Sequence, residues 1–300
     1  MSVFVDRNSR VIIQGFTGRH ATFHAEEAMS FGTKVVGGVT PGKGGTTHLG
    51  LPVFNSVAEA VDETAADVTG IFVPPALATD SLLEAAEAGV DVAVIIADGV
   101  PVQDMVRTKR YLAGRSTIII GPNSPGIITP GGCKVGIMPS HIYLPGRVGV
   151  VSRSGTLNCE AVSQMTKLGL GQSTCVGIGG DPVNGTDFRT VLQAFETDDD
   201  TDVVVMIGEI GGRQEVDAAA WAAQYMSKPM VAFIAGVSAP RGRRMGHAGA
   251  VISGEGDTAN AKLDAIERLG HRVVRHPADI GDTVLRAVKE AGDRTGTSAS

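Results

Sequence analysis

Short apolar segments alternate with helix-like stretches along nearly the whole of this 300-residue chain, and this alternation limits the fold more than any other feature. The apolar segments are rich in valine and isoleucine, which favours strands over helices. An order of strand, helix, strand makes neighbouring strands parallel and places helices on both faces of the sheet. The alternation therefore predicts an α/β fold built from doubly wound parallel sheets.

The alternation forms two series, separated by a stretch rich in proline and glycine. Strands of the first series are predicted at Val11–Gly15, Lys34–Val39, Val68–Pro74, Val90–Ala97 and Ser116–Gly121. Strands of the second series are predicted at Val148–Ser152, Gln172–Ile178, Asp202–Gly208, Met230–Gly236 and Arg272–His276. We predict one domain at residues 1–122, a linker at 123–147, a second domain at 148–291 and a disordered tail at 292–300.

Charge and composition exclude several classes of protein. The net charge of −6 is spread along the chain and does not suggest a nucleic-acid-binding surface. No apolar run reaches the ~18 residues that a membrane span needs, and the first residues lack signal-peptide features. The three cysteines are odd in number and widely spaced, so neither a disulfide scaffold nor a metal site is expected. A cytoplasmic location is the simplest prediction.

The loop after the first predicted strand reads GFTGRHA over residues 15–21. Glycines between a strand and a helix present backbone N–H groups to an anion. The spacing differs from the GxGxxG of dinucleotide-binding loops, and no Asp or Glu ends the second strand to hold a ribose. The loop favours a phosphate-bearing nucleotide other than NAD, with NAD itself or a merely tight turn as alternatives.

The loop after the second predicted strand contains GxxxxGK, but Gly44 stands where a P-loop needs Ser or Thr. Lys43 remains a good point charge for a phosphate, with a solvated lysine on a flexible loop as the alternative. Polar or glycine-rich loops also follow the strands that end near Asp98 and Gly121. Because ligands of open parallel sheets bind beyond the carboxyl ends of the strands, the four loops together predict a binding site.

The second series repeats this arrangement. Residues 152–156 read SRSGT where a helix is predicted to begin, which suits either a phosphate or an ordinary N-cap. Glu209 directly follows a strand of apolar residues and can orient an imidazole, or it is a surface carboxylate. His247 lies in RMGHAGA at 244–250, flanked by small residues. These neighbours predict an imidazole that is open on both sides, accessible to a ligand and able to move.

These motifs resemble one family closely, the α subunits of succinate–CoA ligase. The resemblance covers roughly residues 1–290 and rests on GFTG at 15–18, VVGGVTPGKGGTTHLG at 35–50, IGGDP at 178–182, MIGEIGG at 206–212 and GHAGA at 246–250. The related α-type subunit of malate–CoA ligase shares them, and the segments at 103–112 and 140–146 are more similar to that enzyme. The resemblance implies a Rossmann-like CoA-binding domain followed by a flavodoxin-like ligase domain.

The resemblance also implies the reaction. A β subunit of ATP-grasp type would bind ATP or GTP with Mg²⁺. A phosphoryl group would pass between this nucleotide, succinyl phosphate and a histidine whose loop swings to the nucleotide. The net reversible reaction joins succinate, a small dicarboxylate, to CoA. The assembly would be αβ or α₂β₂, with no nucleic acid or membrane partner.

Carried over by position, His247 would be phosphorylated and Glu209 would steady it. Ser154, Gly155 and Thr156 would bind phosphate. The CoA positions would be Thr17, Gly18, Arg19, His20, Lys43, Ile96, Ala97 and Asp98.

The chain departs from the family's usual pattern in several places. Cys159 replaces a tyrosine near the carboxylate substrate, Ser124 replaces a cysteine, and Ala97-Asp98 replaces Thr-Glu. The residues Arg19-His20-Ala21 replace a smaller sequence that ends in glycine. Loss of the tyrosine hydroxyl bears on the choice of acid, because a buried polar group can set specificity. Malate–CoA ligase, a non-catalytic CoA-binding protein and a dinucleotide oxidoreductase are the alternatives, the last disfavoured by the loop at 15–21.

Overall fold

The structure of the chain is a computed structural model and describes residues 2–296. These residues form two compact units. The N-terminal unit contains residues 4–140 and 181–186, and the C-terminal unit contains residues 2–3, 141–180 and 187–296.

The N-terminal unit is a mostly parallel sheet covered by helices. Its strands are β1 (Arg10–Gln14), β2 (Lys34–Val39), β3 (Thr47–His48), β4 (Leu51–Phe54), β5 (Val68–Ile71), β6 (Val92–Ile95) and β7 (Ile118–Ile120). They lie in the order β3-β4-β2-β1-β5-β6-β7, and β3 pairs antiparallel with β4 whereas the other neighbours are parallel. The helices are α1 (Arg19–Phe31), α2 (Val57–Thr64), α3 (Ala78–Glu87) and α4 (Val102–Tyr111).

The first turn of this unit is held by close packing of small residues. Helix α1 buries Ala21, Ala25 and Ala28, which repeat at helical spacing on one face. Phe16, between β1 and α1, is fully buried. A Cβ atom at Gly38 would lie 2.2 Å from Cγ of Phe16. Only glycine at this position therefore lets β2 pass the phenyl ring. This packing fixes the amino end of α1 at the carboxyl edge of the sheet.

The predicted linker at 123–147 instead contains an antiparallel hairpin that belongs to the N-terminal unit up to residue 140. Its strands are β8 (Gly126–Thr129) and β9 (Cys133–Gly136), and every residue of both is buried. A Cβ atom at Gly126 would lie 2.1 Å from the carbonyl oxygen of Val135, so glycine is needed for the strands to meet. Pro130, Gly131 and Gly132 form the turn of this hairpin, and Gly126 and Gly136 are positions at which its two backbones meet.

A short segment of the second half of the chain also folds with the N-terminal unit. This strap, Asp181–Thr186, is held by several bonds. Nζ of Lys109 donates to the carbonyl oxygen of Asn184 at 2.5 Å. The backbone N–H of Gly185 donates to the carbonyl oxygen of Gly121 at 2.8 Å. The N-terminal unit is therefore assembled from two separate stretches of sequence.

The C-terminal unit contains a second parallel sheet. Its strands are β10 (Pro145–Ser152), β11 (Gln172–Gly177), β12 (Val203–Glu209), β13 (Met230–Ala235) and β14 (Arg272–Val274). They lie in the order β14-β13-β12-β10-β11 and pair in parallel. The helices are α5 (Gly155–Lys167), α6 (Phe188–Thr197), α7 (Gln214–Tyr225), α8 (Ala259–Arg268) and α9 (Ile280–Gly296). The predicted α/β fold with parallel sheets and covering helices is confirmed.

Helix α9 extends into the segment that the sequence predicts as a disordered tail. Ile280, Val284 and Ala287 are fully buried one helical turn apart, which anchors the helix, and it continues to Gly296. Residues 297–300 of the predicted tail lie outside the described residues. No helix between residues 2 and 296 is both long enough and apolar enough to cross a membrane.

Candidate functional site

Glu209 is the last residue of β12, a strand whose residues are all buried. Its position follows from the sequence, because a run of valine, methionine and isoleucine carries the strand through the core to the carboxyl edge of the sheet. Only 9 % of the Glu209 side chain is exposed. The strand therefore presents one carboxylate at the edge where parallel sheets bind ligands.

His247 lies in a loop that is closed by bonds within its own backbone. The N–H of Met245 donates to the carbonyl oxygen of Ala250 at 3.0 Å, and the N–H of Ala250 donates to the carbonyl oxygen of His247 at 3.2 Å. Gly246 has a φ of +79°, which an L side chain rarely adopts. The small residues predicted to give freedom thus form a tight turn that projects the imidazole.

The imidazole meets the carboxylate directly. Nδ1 of His247 lies 2.5 Å from Oε2 of Glu209. Because an ionised carboxylate only accepts hydrogen bonds, Nδ1 carries the proton and donates it. A neutral ring protonated on Nδ1 has its lone pair on Nε2, and that nitrogen can then act as a nucleophile.

The ring is less open than its sequence neighbours predict. Gly180 lies against it, such that a Cβ atom at Gly180 would be 2.3 Å from Cγ and 2.4 Å from Nδ1 of His247. The side chain of His247 is 28 % exposed. The prediction of an imidazole open on both sides is therefore wrong, because a residue distant in sequence occupies one side of it.

The turn at 152–156 lies close to this pair through Arg153. Nη1 of Arg153 lies 3.9 Å from Oε1 of Glu209. Ser154 is the N-cap of α5, and its Oγ accepts from the N–H of Leu157 at 3.2 Å, as an ordinary cap does. The N–H groups of Gly155 and Thr156 stand in the first helical turn and have no intrahelical acceptor. A helix amino terminus suited to a phosphate thus adjoins the carboxylate that holds His247.

A cluster of buried charges surrounds Glu209. Nε of Arg153 lies 3.3 Å from Oε1 of Glu215, and Nζ of Lys262 lies 2.6 Å from Oε2 of Glu215. The side chains of Glu215 and Lys262 are 1 % and 0 % exposed. With Glu209, the two cations face two anions, so the cluster is neutral when His247 is neutral. Such pairing is needed for charges to remain buried.

Cys159, on α5, is half-buried and lies beside the hydroxyl of Tyr143. Burial raises the pKa of the Cys159 thiol, while a hydrogen bond with Tyr143 acts in the opposite direction. Nδ2 of Asn158 donates to the Tyr143 hydroxyl at 2.7 Å. Burial is also the main cause that raises the pKa of Tyr143, so the Tyr143 hydroxyl stays protonated. The thiol of Cys159 thus has the phenol of Tyr143 next to it.

In the N-terminal unit, Thr17 and Lys43 come together from two loops. Nζ of Lys43 donates to Oγ1 of Thr17 at 3.0 Å, and the N–H of Thr17 donates to Oγ1 of Thr40 at 3.2 Å. Gly18 is the N-cap of α1 and offers no side chain to the N–H groups of the first turn. Arg19 follows it and is exposed. An ammonium group beside an uncapped helix terminus is a favourable setting for a phosphate.

A cavity of about 500 Å³ lies beside these loops in the same unit. It is lined by four of the predicted CoA residues, His20, Ile96, Ala97 and Asp98. Thr17, Gly18, Arg19 and Lys43 do not line it and form the separate phosphate-type arrangement described above. The cavity wall is otherwise mostly apolar, which suits the less polar parts of a ligand.

Sequence reasoning missed several residues of both regions. In the cavity, His24 is stacked on Phe72, and burial lowers the pKa of His24. The spacing of four residues between His20 and His24 would have placed them on one helix face. Around Glu209, the missed residues are Glu215 and Lys262, and the contact of Gly180, a residue of the IGGDP motif, with His247 is also not predicted. No local pattern marks the two charged residues, because each acts through a partner far away in sequence.

Comparison with known proteins gives a consistent family. The family model of the CoA binding domain matches residues 6–99, and that of CoA-ligase matches residues 151–271. The chain is 56 % identical to the succinate–CoA ligase [ADP-forming] subunit alpha of Staphylococcus aureus and 53 % identical to that of Staphylococcus epidermidis. Each alignment extends over 292 residues and covers 97 % of both chains.

Solved structures show the same fold. ATP citrate lyase from Methanothrix soehngenii, in complex with citrate and coenzyme A, superposes with a TM-score of 0.87 at 27 % identity. That match covers 98 % of this chain and 52 % of the lyase chain. A dinucleotide-forming acetyl-coenzyme A synthetase from Ca. Korarchaeum cryptofilum superposes with a TM-score of 0.71 at 20 % identity, over 92 % of this chain and 60 % of that one.

Proposed function

This chain belongs to the family of succinate–CoA ligase α subunits, and from that premise we propose that it forms succinyl-CoA reversibly through a phosphorylated His247. The observation that carries the proposal is the 2.5 Å contact between Nδ1 of His247 and Glu209. That contact leaves Nε2 as the nitrogen that receives the phosphoryl group.

The chemistry at His247 balances as two transfers. When the nucleoside triphosphate is the donor, a bond forms between Nε2 and the γ-phosphorus while the bond from that phosphorus to the β,γ-bridging oxygen breaks. When the carboxylate of the acid attacks the phosphorus, the bond to Nε2 breaks and an acyl phosphate forms. Attack of the CoA thiolate on the acyl carbon then gives the thioester and inorganic phosphate. Glu209 keeps the Nδ1 proton in place throughout and stabilises the positive charge that develops on the ring.

The turn at Ser154, Gly155 and Thr156 is proposed to hold the phosphoryl group near His247. Two N–H groups without intrahelical acceptors point out of the first turn of α5, and the helix dipole adds about half a positive charge there. The contact of Arg153 with Glu209 supports this placement, because it ties the turn to the carboxylate that bonds the imidazole.

CoA is proposed to bind the N-terminal unit. The residues present fit it: the cavity of about 500 Å³ is largely apolar, and Lys43, Thr17 and the uncapped terminus of α1 suit its phosphates. Asp98 and His20 at the cavity wall supply polar contacts. These residues would bind and orient CoA, whose thiol supplies the nucleophile for the thioester.

An α subunit works with a β subunit, and the finer description of that partner is a proposal. We place the nucleoside triphosphate, ATP or GTP, and its Mg²⁺ on a β subunit of ATP-grasp type, in an αβ or α₂β₂ assembly. The loop with GxxxxGK supports this assignment, because Gly44 lacks the hydroxyl with which a P-loop holds Mg²⁺.

Succinate is the proposed acid, since the relatives at 56 % and 53 % identity are named for it. Malate is a second candidate because Cys159 stands at the family's tyrosine position and has the Tyr143 hydroxyl beside it. A hydroxyl that is a donor or acceptor in the site can favour an acid that itself bears a hydroxyl.

The test is thioester formation by the purified chain, alone and with its β subunit. We expect succinyl-CoA only when the β subunit, CoA, Mg²⁺ and ATP or GTP are all present. Succinate, malate and citrate are compared side by side at equal concentration. Turnover with neither succinate nor malate would refute the proposed substrate.

The CoA site can be tested on the chain alone by Lys43→Met. A hydrogen bond to a charged group contributes about 1.5–3 kcal/mol, so we expect the Kd for CoA to rise by about 10- to 100-fold. Titration calorimetry at two salt concentrations measures the change, which should shrink as salt increases. Lys34→Met is the matched control, since Lys34 is exposed at the start of β2, the strand that precedes the loop of Lys43. Equal affinities of the two variants would contradict the placement of CoA phosphates at Lys43.

A further inference from the structure

A lysine that is completely buried holds the end of β12. The Lys262 side chain, on α8, has no exposed surface, and its Nζ donates three hydrogen bonds. One goes to the carbonyl oxygen of Glu209 at 2.8 Å and one to that of Gly211 at 2.6 Å. The third goes to the carboxylate of Glu215 at 2.6 Å. The three protons of the ammonium group are thereby all used.

A buried lysine needs an explanation, because desolvation strongly opposes burial of an ammonium group. Glu215 supplies the opposite charge, but a buried ion pair contributes little stability over apolar side chains of similar size. The two remaining bonds give the explanation. They hold the main chain of residues 209–211, the segment from which the Glu209 carboxylate reaches His247.

The same segment also supports the histidine loop. Gly211 has a φ of +86°, and a Cβ atom there would lie 2.3 Å from the carbonyl oxygen of Gly249. The two loops therefore pack backbone against backbone. The N–H of Gly211 donates in addition to the carbonyl oxygen of Asp257 at 2.9 Å. The position of 209–211 thus sets both the carboxylate that bonds Nδ1 and the surface on which the loop rests.

We propose that Lys262 is a positioning residue for phosphoryl transfer, which holds residues 209–211 so that Glu209 keeps the Nδ1 proton of His247 in place. This inference rests on the proposed role of His247 as phosphoryl acceptor. Lys262 acts through Glu209 and through the backbone of the loop, rather than on the imidazole.

The test uses the double variant Lys262→Met/Glu215→Gln. Methionine keeps the apolar stem, and glutamine keeps an acceptor for Arg153 and for the N–H of Glu209. The variant therefore removes the buried pair without leaving a single unpaired charge. Lys228→Met is the matched control in the same unit, because Nζ of Lys228 also donates to two carbonyl oxygens, those of Phe195 and Asp198.

Two measurements are made on chains shown to be folded by circular dichroism. The ¹⁵N NMR spectrum of the full chain reports the tautomer of His247, assigned against His247→Asn. The rate of phosphate incorporation into the complex with the β subunit reports the transfer. We expect the double variant to lose the Nδ1-protonated tautomer and to be phosphorylated about 10- to 100-fold more slowly. Lys228→Met should retain wild-type values of both.

The tautomer decides the inference. A folded double variant that keeps the wild-type tautomer overturns it, as does the same loss in Lys228→Met. If the double variant does not fold, Lys262→Gln takes its place with the same criterion. Its amide is neutral and one atom shorter, and Glu215 retains Arg153 as its charged partner. If the wild-type complex itself acquires no phosphate, the proposed function fails while the tautomer comparison still decides the role of Lys262.

Discussion

Replacement of His247 by Asn should abolish succinyl-CoA formation and remove all acid-labile phosphate from the chain. The imidazole is the only group of residue 247 that can form the covalent intermediate, and asparagine has no comparable nucleophile. We expect turnover by the complex to fall by at least about 10⁴-fold, the scale seen when a covalent nucleophile is removed. The measurement is thioester formation together with labelling from γ-phosphate-labelled nucleotide.

His276→Asn provides the matched control, because His276 is an exposed histidine of the same unit. It should be labelled and turn over as the wild type does. In the wild type, ³¹P NMR should place the label on Nε2, since Nδ1 donates to Glu209. A His247→Asn complex with normal turnover would overturn the mechanism, and phosphate on Nδ1 would overturn the assigned role of Glu209.

Gly180→Ala should produce the second largest loss, without a comparable loss of stability. The added Cβ atom would lie 2.3 Å from Cγ of His247, well inside any real contact, so the ring must move. Because Nδ1 is only 2.5 Å from Glu209, that movement breaks the hydrogen bond that fixes the tautomer. We expect the phosphorylation rate to fall by about 100-fold, as for displacement of a catalytic group by about 1 Å.

The outcome is read from phosphate incorporation and from the thermal midpoint of unfolding. Gly180 does not have a positive φ, so alanine fits its backbone and the midpoint should change little. Gly256→Ala is the control, since a Cβ atom there meets nothing within 4 Å. If Gly180→Ala were phosphorylated at the wild-type rate, the position of the His247 ring against Gly180 would not limit phosphoryl transfer.

Periodicity and strand ends account for the part of this site that sequence predicts. The apolar run of β12 predicts a carboxylate at the sheet edge, and the structure indeed places Glu209 there in contact with His247. The turn at 152–156 is predicted in the same way, as the first residues after a buried strand. Such local patterns determine where a strand ends and which side chain follows it.

Contacts between distant residues are what the sequence does not reveal. Lys262 lies on an ordinary amphipathic helix, and nothing nearby in sequence marks it as buried against Glu209. Gly180 belongs to the IGGDP motif at 178–182, but only the fold places it against the imidazole. The hairpin of β8 and β9 is missed for a related reason, because its glycines allow two backbones to meet rather than the chain to flex.

The strap at Asp181–Thr186 has a consequence for how such a chain can be inherited. The N-terminal unit requires six residues encoded far downstream, held by Lys109 and Gly121. A single recombination event near residue 140 would therefore deliver a CoA-binding unit without its strap, and a ligase unit carrying a strap for a different partner. The two units are thus expected to pass between genomes together, and exchanges between related genes are expected to leave both the first 140 residues and the strap from one parent.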